Sequence, residues 1–157
     1  MRLIVKKFIE LDTKEVYKIC KLRQDVFIVE QRCIYGDLDD KDLQCLHVFY
    51  EDNANEIISY CRIVPKGINF DTISIGRIIV NQKYRNQGIA KKLLLEVFEI
   101  IKNNYKEFKV KISAQNRLKG FYKSLGFEEI SDVYDEDGIL HINMLVDLKN
   151  ANNFHNS

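Results

Sequence analysis

The chain of 157 residues is long enough for one domain with one sizeable hydrophobic core. Its composition is that of an ordinary globular protein, with 46% hydrophobic and 30% charged residues, and the net charge of +1 gives no reason to expect binding to nucleic acid or to a membrane surface. The sequence contains no long uncharged apolar run, so we expect no transmembrane helix.

The four cysteines are widely spaced and form no C-x-x-C pair. This pattern predicts neither a disulfide framework nor a metal site. The first eight residues mix charged with apolar side chains and lack the apolar stretch of a signal peptide. A reduced, cytoplasmic setting is therefore the expectation.

The first half of the chain predicts one helix and four strands. The first strand covers residues 3–9. Asp12, with Glu15 three positions later, forms a capping-box signature for a helix that runs to about Glu30. An Asp-rich loop is predicted over residues 31–44. Three strands follow, the first two as a hairpin: residues 45–51, 56–64 and 72–80.

The second half predicts a long helix, a strand, a short helix and a final strand pair. The long amphipathic helix reaches about Tyr105. Apolar residues that alternate with lysines predict a strand over residues 108–114, and a short helix over residues 116–125 ends at Gly126. The last two strands are residues 128–134 and 139–147.

This order of elements is not a regular alternation of strands and helices, and it predicts an α+β fold with a mixed sheet. No repeat, low-complexity tract or linker divides the sequence. We therefore expect one domain over residues 1–149, followed by a polar, disordered tail over residues 150–157.

The turn Arg85-Asn86-Gln87-Gly88-Ile89-Ala90 is the most informative stretch, because it links a predicted strand to the start of a helix. The first N–H groups of a helix have no partners within it and lie at its positive dipole end, so they suit a phosphate. Gly88 lets an anion approach the backbone, and Arg85 adds a charged fork. The alternative is an ordinary helix start; the absence of G-x-x-x-x-G-K-S/T argues against a nucleotide triphosphatase.

A second motif lies downstream, where Asn116 is followed by Phe121-Tyr122-Lys123-Ser124-Leu125-Gly126-Phe127. Together with Arg-x-x-Gly-x-Ala and the order of elements, it resembles the GCN5-related N-acetyltransferase (GNAT) superfamily over nearly the whole chain. This resemblance implies a central mixed, mostly antiparallel sheet flanked by helices. Four further segments resemble the ElaA-type branch: residues 23–31, residues 35–39, His47 and residues 134–141.

The resemblance implies that the cofactor is acetyl-CoA. A strand would pair its backbone with the pantetheine arm, at Ile78, Ile79 and Val80. The turn would cradle the pyrophosphate with Arg85, Gln87, Gly88, Ile89 and Ala90. Asn116 would lie near the pantetheine or adenosine, and Tyr122 would face the thioester sulfur. Ala90 stands where the family often has glycine, and its small side chain leaves the expected binding intact.

Transfer of acetyl from sulfur to nitrogen needs a neutral amine, an N–H at the developing oxyanion and an acid for the departing thiolate. The resemblance gives the acid role to Tyr122. Core packing is the alternative interpretation of this residue, because Phe121, Leu125 and Phe127 surround it in the sequence.

The acceptor side leaves two interpretations open. Asp39 and its neighbouring aspartates, with Glu30 nearby, form either an electronegative mouth for a cationic amine or a solvated loop. Glu30 ends a predicted helix, where a negative charge gains nothing from the helix dipole. This position favours a role in the site, such as holding a water that acts as the base.

Two histidines and an arginine also keep two interpretations each. His47 begins a strand and is either a base or a structural residue. His141 shares a strand face with Ile139 and Asn143 and follows an acidic turn, so it either lines the acceptor pocket or is structural. Arg62 lies on a mostly apolar strand face and needs a partner, which is either a protein carboxylate or a substrate carboxylate.

We therefore predict an acetyl-CoA-dependent N-acetyltransferase that transfers directly to a small or peptide amine in a ternary complex, with no metal. The alternative is a CoA-binding sensor or interaction module without turnover; the presence of Tyr122 and Asn116 favours the enzyme. The sequence does not distinguish acetyl-CoA from another acyl donor, such as succinyl-CoA. Exposed edge strands near the C-terminus leave a homodimer open on fold analogy alone.

Overall fold

The computed structural model describes residues 1–150 and contains one mixed sheet of eight strands. In chain order the strands are β1 Arg2–Lys7, β2 Leu46–Glu51, β3 Ile57–Val64, β4 Ile73–Val80, β5 Lys109–Gln115, β6 Glu128–Glu129, β7 Tyr134–Glu136 and β8 Ile139–Asp147. They lie in the order β1-β2-β3-β4-β5-β8-β6, with β7 also paired to β8, and only β4 and β5 are parallel. The predicted mixed, mostly antiparallel sheet is confirmed. The predicted tail lies, beyond residue 150, outside the described residues.

Three α-helices flank the sheet: α1 Thr13–Arg23, α2 Ile89–Ile100 and α3 Lys119–Ser124. The first continues as a π-helix over Gln24–Glu30 and the second over Ile101–Tyr105, so both reach their predicted ends. The predicted capping box of α1 is formed: Asp12 Oδ1 accepts the Glu15 N–H at 2.8 Å, and Glu15 Oε2 accepts the Asp12 N–H at 2.9 Å. Short 3-10 turns occur at Phe8–Glu10, Lys41–Gln44, Gln82–Tyr84 and Asn116–Leu118.

Two strands are shorter than the sequence predicted. The first ends at Lys7, because the next three residues form a 3-10 turn in which Glu10 Oε1 accepts the Lys7 N–H at 2.8 Å. The strand predicted over residues 128–134 is divided into β6 and the start of β7. Between them the Ser131 hydroxyl accepts the Asn143 N–H at 2.9 Å, so a side chain replaces a backbone partner and the ladder is interrupted.

The sheet has a helix on each face. The apolar stripe of α2 includes Leu93 and Val97, both with no exposed surface, and packs on one face. On the other face α1 places Ile19 against Phe49 and Tyr60. Each such buried aliphatic or aromatic side chain contributes about 1.5–3 kcal/mol to folding. The two helices thereby hold the sheet as a scaffold for the opening at its centre.

That opening arises because β4 and β5 separate. They pair at only two positions, Ile73 with Val110 and Ser74 with Lys111. Beyond these pairs the rest of each strand forms no pair with the other. A crevice of about 1170 Å³, here called the cleft, lies between them. Ligands of open sheets with parallel strands bind at such a position, outside the carboxyl ends of the strands.

The β4 wall of the cleft carries a β-bulge. Arg77 and Ile78 lie opposite a single residue of β3, Cys61, and Arg77 has a left-handed backbone with φ 55°. A bulge bends its strand and increases the local twist. A left-handed conformation costs a non-glycine residue roughly 1–2 kcal/mol, so neighbouring contacts must hold Arg77 in place.

Candidate active site

The turn between β4 and α2 has the backbone of an anion-binding site. Gly88 is the N-cap of α2, has φ 72° and forms no side-chain cap, so the first N–H groups of the helix lack that partner. A Cβ added to Gly88 would meet nothing within 4 Å, which shows that the backbone borders open space. Arg85, Ile89 and Ala90 also line the cleft, whereas Gln87 is exposed outside the lining.

Arg85 and Glu30 bind each other across one end of the cleft. Arg85 Nη1 donates to Glu30 Oε1 at 2.5 Å and Nη2 donates to Oε2 at 2.8 Å, while Nε donates to the Val80 carbonyl at 3.1 Å. The bond to Arg85 lowers the pKa of Glu30, an effect to which the charge of Arg117 adds. The same pair raises the pKa of Arg85. Arg85, predicted to bind the cofactor, and Glu30, predicted to hold a water that acts as the base, are thus direct partners.

A second bridge joins the end of the α1 extension to the opposite wall. Gln115 Nε2, at the end of β5, donates to Gln31 Oε1 at 3.1 Å, and Arg117 Nε donates to Gln115 Oε1 at 3.1 Å. Gln31 follows Glu30 directly, so two consecutive residues contact the two walls of the cleft. The sequence did not single out Gln31 or Gln115, because the bond joins segments 84 positions apart.

Tyr122 both packs in the core and lines the cleft. Its side chain is 6% exposed, and its ring packs edge-on against Phe121 and Phe127 with centroids 5.1 and 5.8 Å apart. Burial strongly raises the pKa of Tyr122, so its hydroxyl keeps the proton at neutral pH. The two interpretations of this residue are compatible, since the ring serves packing and the hydroxyl is left for chemistry.

Asn116 begins the 3-10 turn after β5. Its Oδ1 is buried and has no hydrogen-bond partner among residues 1–150. Asn116 is not itself part of the cleft lining, although its neighbours Gln115 and Arg117 are. A buried carbonyl oxygen without a partner is costly, so this atom is a site where a ligand donor would be favourable.

The far end of the cleft is polar and is built by the β7–β8 hairpin and β5. Tyr134 donates to Asn143 Oδ1 at 2.8 Å and also contacts the Ser113 hydroxyl. Its ring stacks on His141 with centroids 6.1 Å apart. Glu136 lies nearby with 52% of its side chain exposed. Of this group, the sequence singled out only His141 as a candidate site residue.

The hydrogen bonds of His141 define its tautomer. Nδ1 lies 2.7 Å from the Ile139 carbonyl, which can only accept, so Nδ1 carries a proton. In the neutral ring Nε2 is then the nitrogen with the lone pair, and it lies 3.5 Å from Glu136 Oε2. His141 therefore presents the lone pair of Nε2 at the polar end of the cleft, beside the Glu136 carboxylate.

The Asp-rich loop is held in an ion-pair network instead of forming an open mouth. Asp39 receives two bonds of 2.7 Å from the Nη atoms of Arg62, and Arg62 Nη1 also donates to Asp42 at 3.0 Å. Burial opposes the charge on Asp39, but Arg62 outweighs it and holds the pKa of Asp39 well below its usual range. Arg62, whose partner the sequence left open, is paired with protein carboxylates.

The same network includes a buried residue of α1 and the β4 bulge. Arg23, 1% exposed, donates to Asp37 Oδ2 at 2.9 Å and to Asp42 at 2.6 Å. Arg77 places Nε 2.8 Å from Asp37 Oδ1, and its Nη2 donates to the Asp37 carbonyl at 3.0 Å. Tyr35 donates to Asp37 Oδ1 at 2.7 Å. The loop is thereby fixed to the bulged strand that forms the cleft wall.

His47 lies away from the cleft and is 2% exposed. Its Nε2 lies 2.9 Å from the Asp42 carbonyl, to which it must donate, and its Nδ1 accepts from the Tyr60 hydroxyl at 2.8 Å. Burial lowers the pKa of His47, so the neutral ring is favoured. Both ring nitrogens are therefore engaged in the packing between the sheet and the Asp-rich loop.

Comparison with known proteins places this geometry in a family. The model of the acetyltransferase (GNAT) domain matches residues 14–148 of the chain. The chain belongs to the GNAT acetyltransferase family. The family and the fold are those of acyltransferases, and they confirm the resemblance on which the cofactor assignment was based. No helix among residues 1–150 is long and apolar enough to cross a membrane.

Relatives support the same placement within the GNAT family. The UPF0039 protein C11D3.02c of Schizosaccharomyces pombe is 36% identical over 94% of this chain and 98% of its own length. Escherichia coli ElaA is 35% identical over 86% of this chain and 89% of its own length. The crystal structure of E. coli ElaA matches 94% of this chain and 100% of that one with a TM-score of 0.86. An acyl-CoA N-acyltransferase from Pseudomonas aeruginosa gives a TM-score of 0.86 at 28% identity, covering 93% and 99%. The ElaA-type branch is thus confirmed.

Proposed function

We propose that this GNAT protein is an acetyl-CoA-dependent N-acetyltransferase that moves an acetyl group directly to a primary amine in a ternary complex. The observation that carries the proposal is the arrangement of the cleft. An uncapped helix start with Gly88 lies at one end, and Tyr122 and His141 line the same cleft. These are the parts that a phosphate-bearing thioester and an amine would need on a common path.

The residues present fit CoA. The cleft volume of about 1170 Å³ suits a ligand larger than most drug-sized molecules. The backbone at Gly88 borders open space, and the first N–H groups of α2 would hold the pyrophosphate with Ile89 and Ala90. The edge of β4 that faces β5 is unpaired over Ile78, Ile79 and Val80 and is available for the pantetheine amides, whereas Asn116, the other predicted cofactor ligand, lies outside the cleft lining with a buried Oδ1.

The chemistry supplied by acetyl-CoA is an activated acetyl thioester. Tyr122 keeps its proton at neutral pH and donates a hydrogen bond to the departing sulfur. A backbone N–H on the unpaired edge of β4 stabilises the negative charge that develops on the thioester oxygen. His141 Nε2 accepts the proton of the amine, and Glu136 Oε2 lies 3.5 Å from that nitrogen.

The acceptor in this proposal is a small amine or a peptide amine. Glu136 is the carboxylate with the exposure and position to attract an ammonium group to the polar end of the cleft. Asp39 and Arg62 line the cleft, but we assign them structural roles because they pair with each other, and His47, which lies away from the cleft, receives a structural role as well. The four cysteines are all free thiols, in keeping with the reduced cytoplasmic setting that we propose.

The cofactor proposal is tested by isothermal titration of the purified protein with acetyl-CoA. Binding at micromolar concentrations is expected, and the absence of heat at high micromolar ligand would refute it. Turnover is tested by thiol release across a panel of amines with acetyl-CoA and succinyl-CoA as donors. Binding without thiol release on any amine would favour a CoA sensor over an enzyme.

A further inference from the structure

Glu30 occupies an unusual position for an acidic residue. It is the last residue of the π-helical extension of α1, at the negative end of the helix dipole, where a carboxylate destabilises the helix. Its only bonded partner in the described chain is Arg85, which lies at the entrance to α2. Helix formation therefore does not explain a carboxylate at this place, whereas the contact with Arg85 does.

The geometry of this contact matters for ligand binding. Arg85 presents its two Nη donors side by side to the two oxygens of Glu30. The same fork is the arrangement in which arginine binds phosphate. The Nη1–Nη2 edge cannot bind the Glu30 carboxylate and a diphosphate in this bidentate way at once, so the two anions compete for that edge of Arg85.

We propose that Glu30 competes with the diphosphate of CoA for Arg85 and thereby sets the affinity of this protein for its cofactor. The inference rests on the proposed function. Arg85 releases Glu30 when the diphosphate binds, so loss of the Arg85–Glu30 contact offsets part of the free energy that Arg85 gains from the diphosphate. In this scheme Glu30 determines affinity: it weakens the contribution of Arg85 to CoA binding without contacting the reacting atoms.

The exposure of the pair allows such an exchange. The side chains of Arg85 and Glu30 are 34% and 39% exposed, so separating them leaves neither charge buried without solvent. Exposed ion pairs are worth up to about 1 kcal/mol, and a bidentate arginine–carboxylate pair belongs in the upper part of the range, from about 0.4 kcal/mol. Removing the competition should therefore tighten CoA binding by roughly twofold to fivefold, since 1.4 kcal/mol corresponds to a factor of ten.

The test compares CoA titrations of the wild type, Glu30→Gln and Glu56→Gln. Glutamine keeps the size of Glu30 but no longer competes as an anion, so the Kd for CoA should fall by roughly twofold to fivefold. Glu56 pairs with Lys83 at 3.0 Å on the surface near the same turn, and it is the matched control for loss of one negative charge. Its substitution should change the Kd by less than about 1.5-fold at physiological salt.

A double-mutant cycle completes the test. In an Arg85→Gln background the contested guanidinium is absent, so Glu30→Gln should no longer tighten binding. Unchanged or weaker CoA binding by Glu30→Gln, a gain equal to that of the control, or a gain that persists without Arg85 would each overturn the inference. If the wild type itself did not bind CoA, the proposed function would fail first, which is a distinct result.

Discussion

The ring of Tyr122 packs in the core, whereas its hydroxyl is the group that we propose to act on the thioester. The ring packs edge-on between Phe121 and Phe127, and burial keeps the hydroxyl protonated beside the cleft. Because burial keeps the phenol protonated, its proposed role is to donate a hydrogen bond to the departing thiolate. That role can be tested by removing the hydroxyl without disturbing the packing of the ring.

Tyr122→Phe should lower the thiol-release rate on the order of 10²-fold, because the ring is kept and the hydrogen bond to sulfur is lost. The Kd for CoA and the unfolding free energy should stay close to those of the wild type. Stopped-flow thiol detection and calorimetry on the same preparations provide the measurements. A variant with an unchanged rate would exclude the acid role of Tyr122.

His141→Gln should lower kcat/KM for the amine by about 10²-fold, because glutamine keeps hydrogen-bonding capacity but cannot accept a proton at neutral pH. The variant should bind CoA like the wild type, since His141 lies at the polar end of the cleft. Glu136→Gln should have a smaller effect in the same direction. Equal losses of amine turnover and CoA affinity would instead identify His141 as a structural residue.

At the scale of elements, the start of α1 is fixed by local bonds. Asp12 and Glu15 exchange hydrogen bonds at 2.8 and 2.9 Å. Asp12→Ala should destabilise the fold by about 1 kcal/mol, because it leaves a helix N–H without its cap. Urea unfolding monitored by circular dichroism measures this. The Lys21–Asp25 pair on the same helix offers a control, since Asp25→Ala should change stability by less than about 0.5 kcal/mol.

These contacts also show which features a sequence can predict. The cap of α1, the turn at Gly88 and the strand pattern depend on residues a few positions apart, and all were predictable. The Arg85–Glu30 pair spans 55 positions and the Arg62–Asp39 pair spans 23, so no local sequence pattern predicts these two pairs. His47 illustrates the limit: its residue type suggested a base, whereas its ring nitrogens contact Tyr60 on the neighbouring strand and the Asp42 carbonyl five positions earlier in the chain.

At the scale of the whole molecule, stability depends on pH through the ion-pair network. Arginines hold the pKa of Asp39 and Asp42 below their unfolded values despite burial. A depressed carboxyl pKa stabilises the fold above the unfolded value near 4, and that contribution is lost as the pH falls through it toward the folded value. The free energy of unfolding should therefore decrease from about pH 5 to pH 2.

Asp39→Asn should lower stability at pH 7 by about 3 kcal/mol, because it removes a partner of the buried Arg62. It should also make the acid-induced loss less steep, since one titrating carboxylate is gone. Urea titrations at several pH values measure both effects. Asp132→Asn changes an exposed aspartate and should behave like the wild type. The same acid dependence in Asp39→Asn and the wild type would show that other carboxylates dominate.

The two residue pairs that join β4 to β5 give the sheet a mechanical property. Ser74 and Lys111 form the last pair, and beyond Ser74 the strand extends to Val80 for about 20 Å at roughly 3.3 Å per residue, paired with β3 on one side and unpaired on the side that faces β5. A rotation of about 5° at the pair would move the tip of that segment by nearly 2 Å, by the same strand geometry. A small change in twist where β4 and β5 meet would thus change the width of the cleft at the place where the proposed thioester and amine would react.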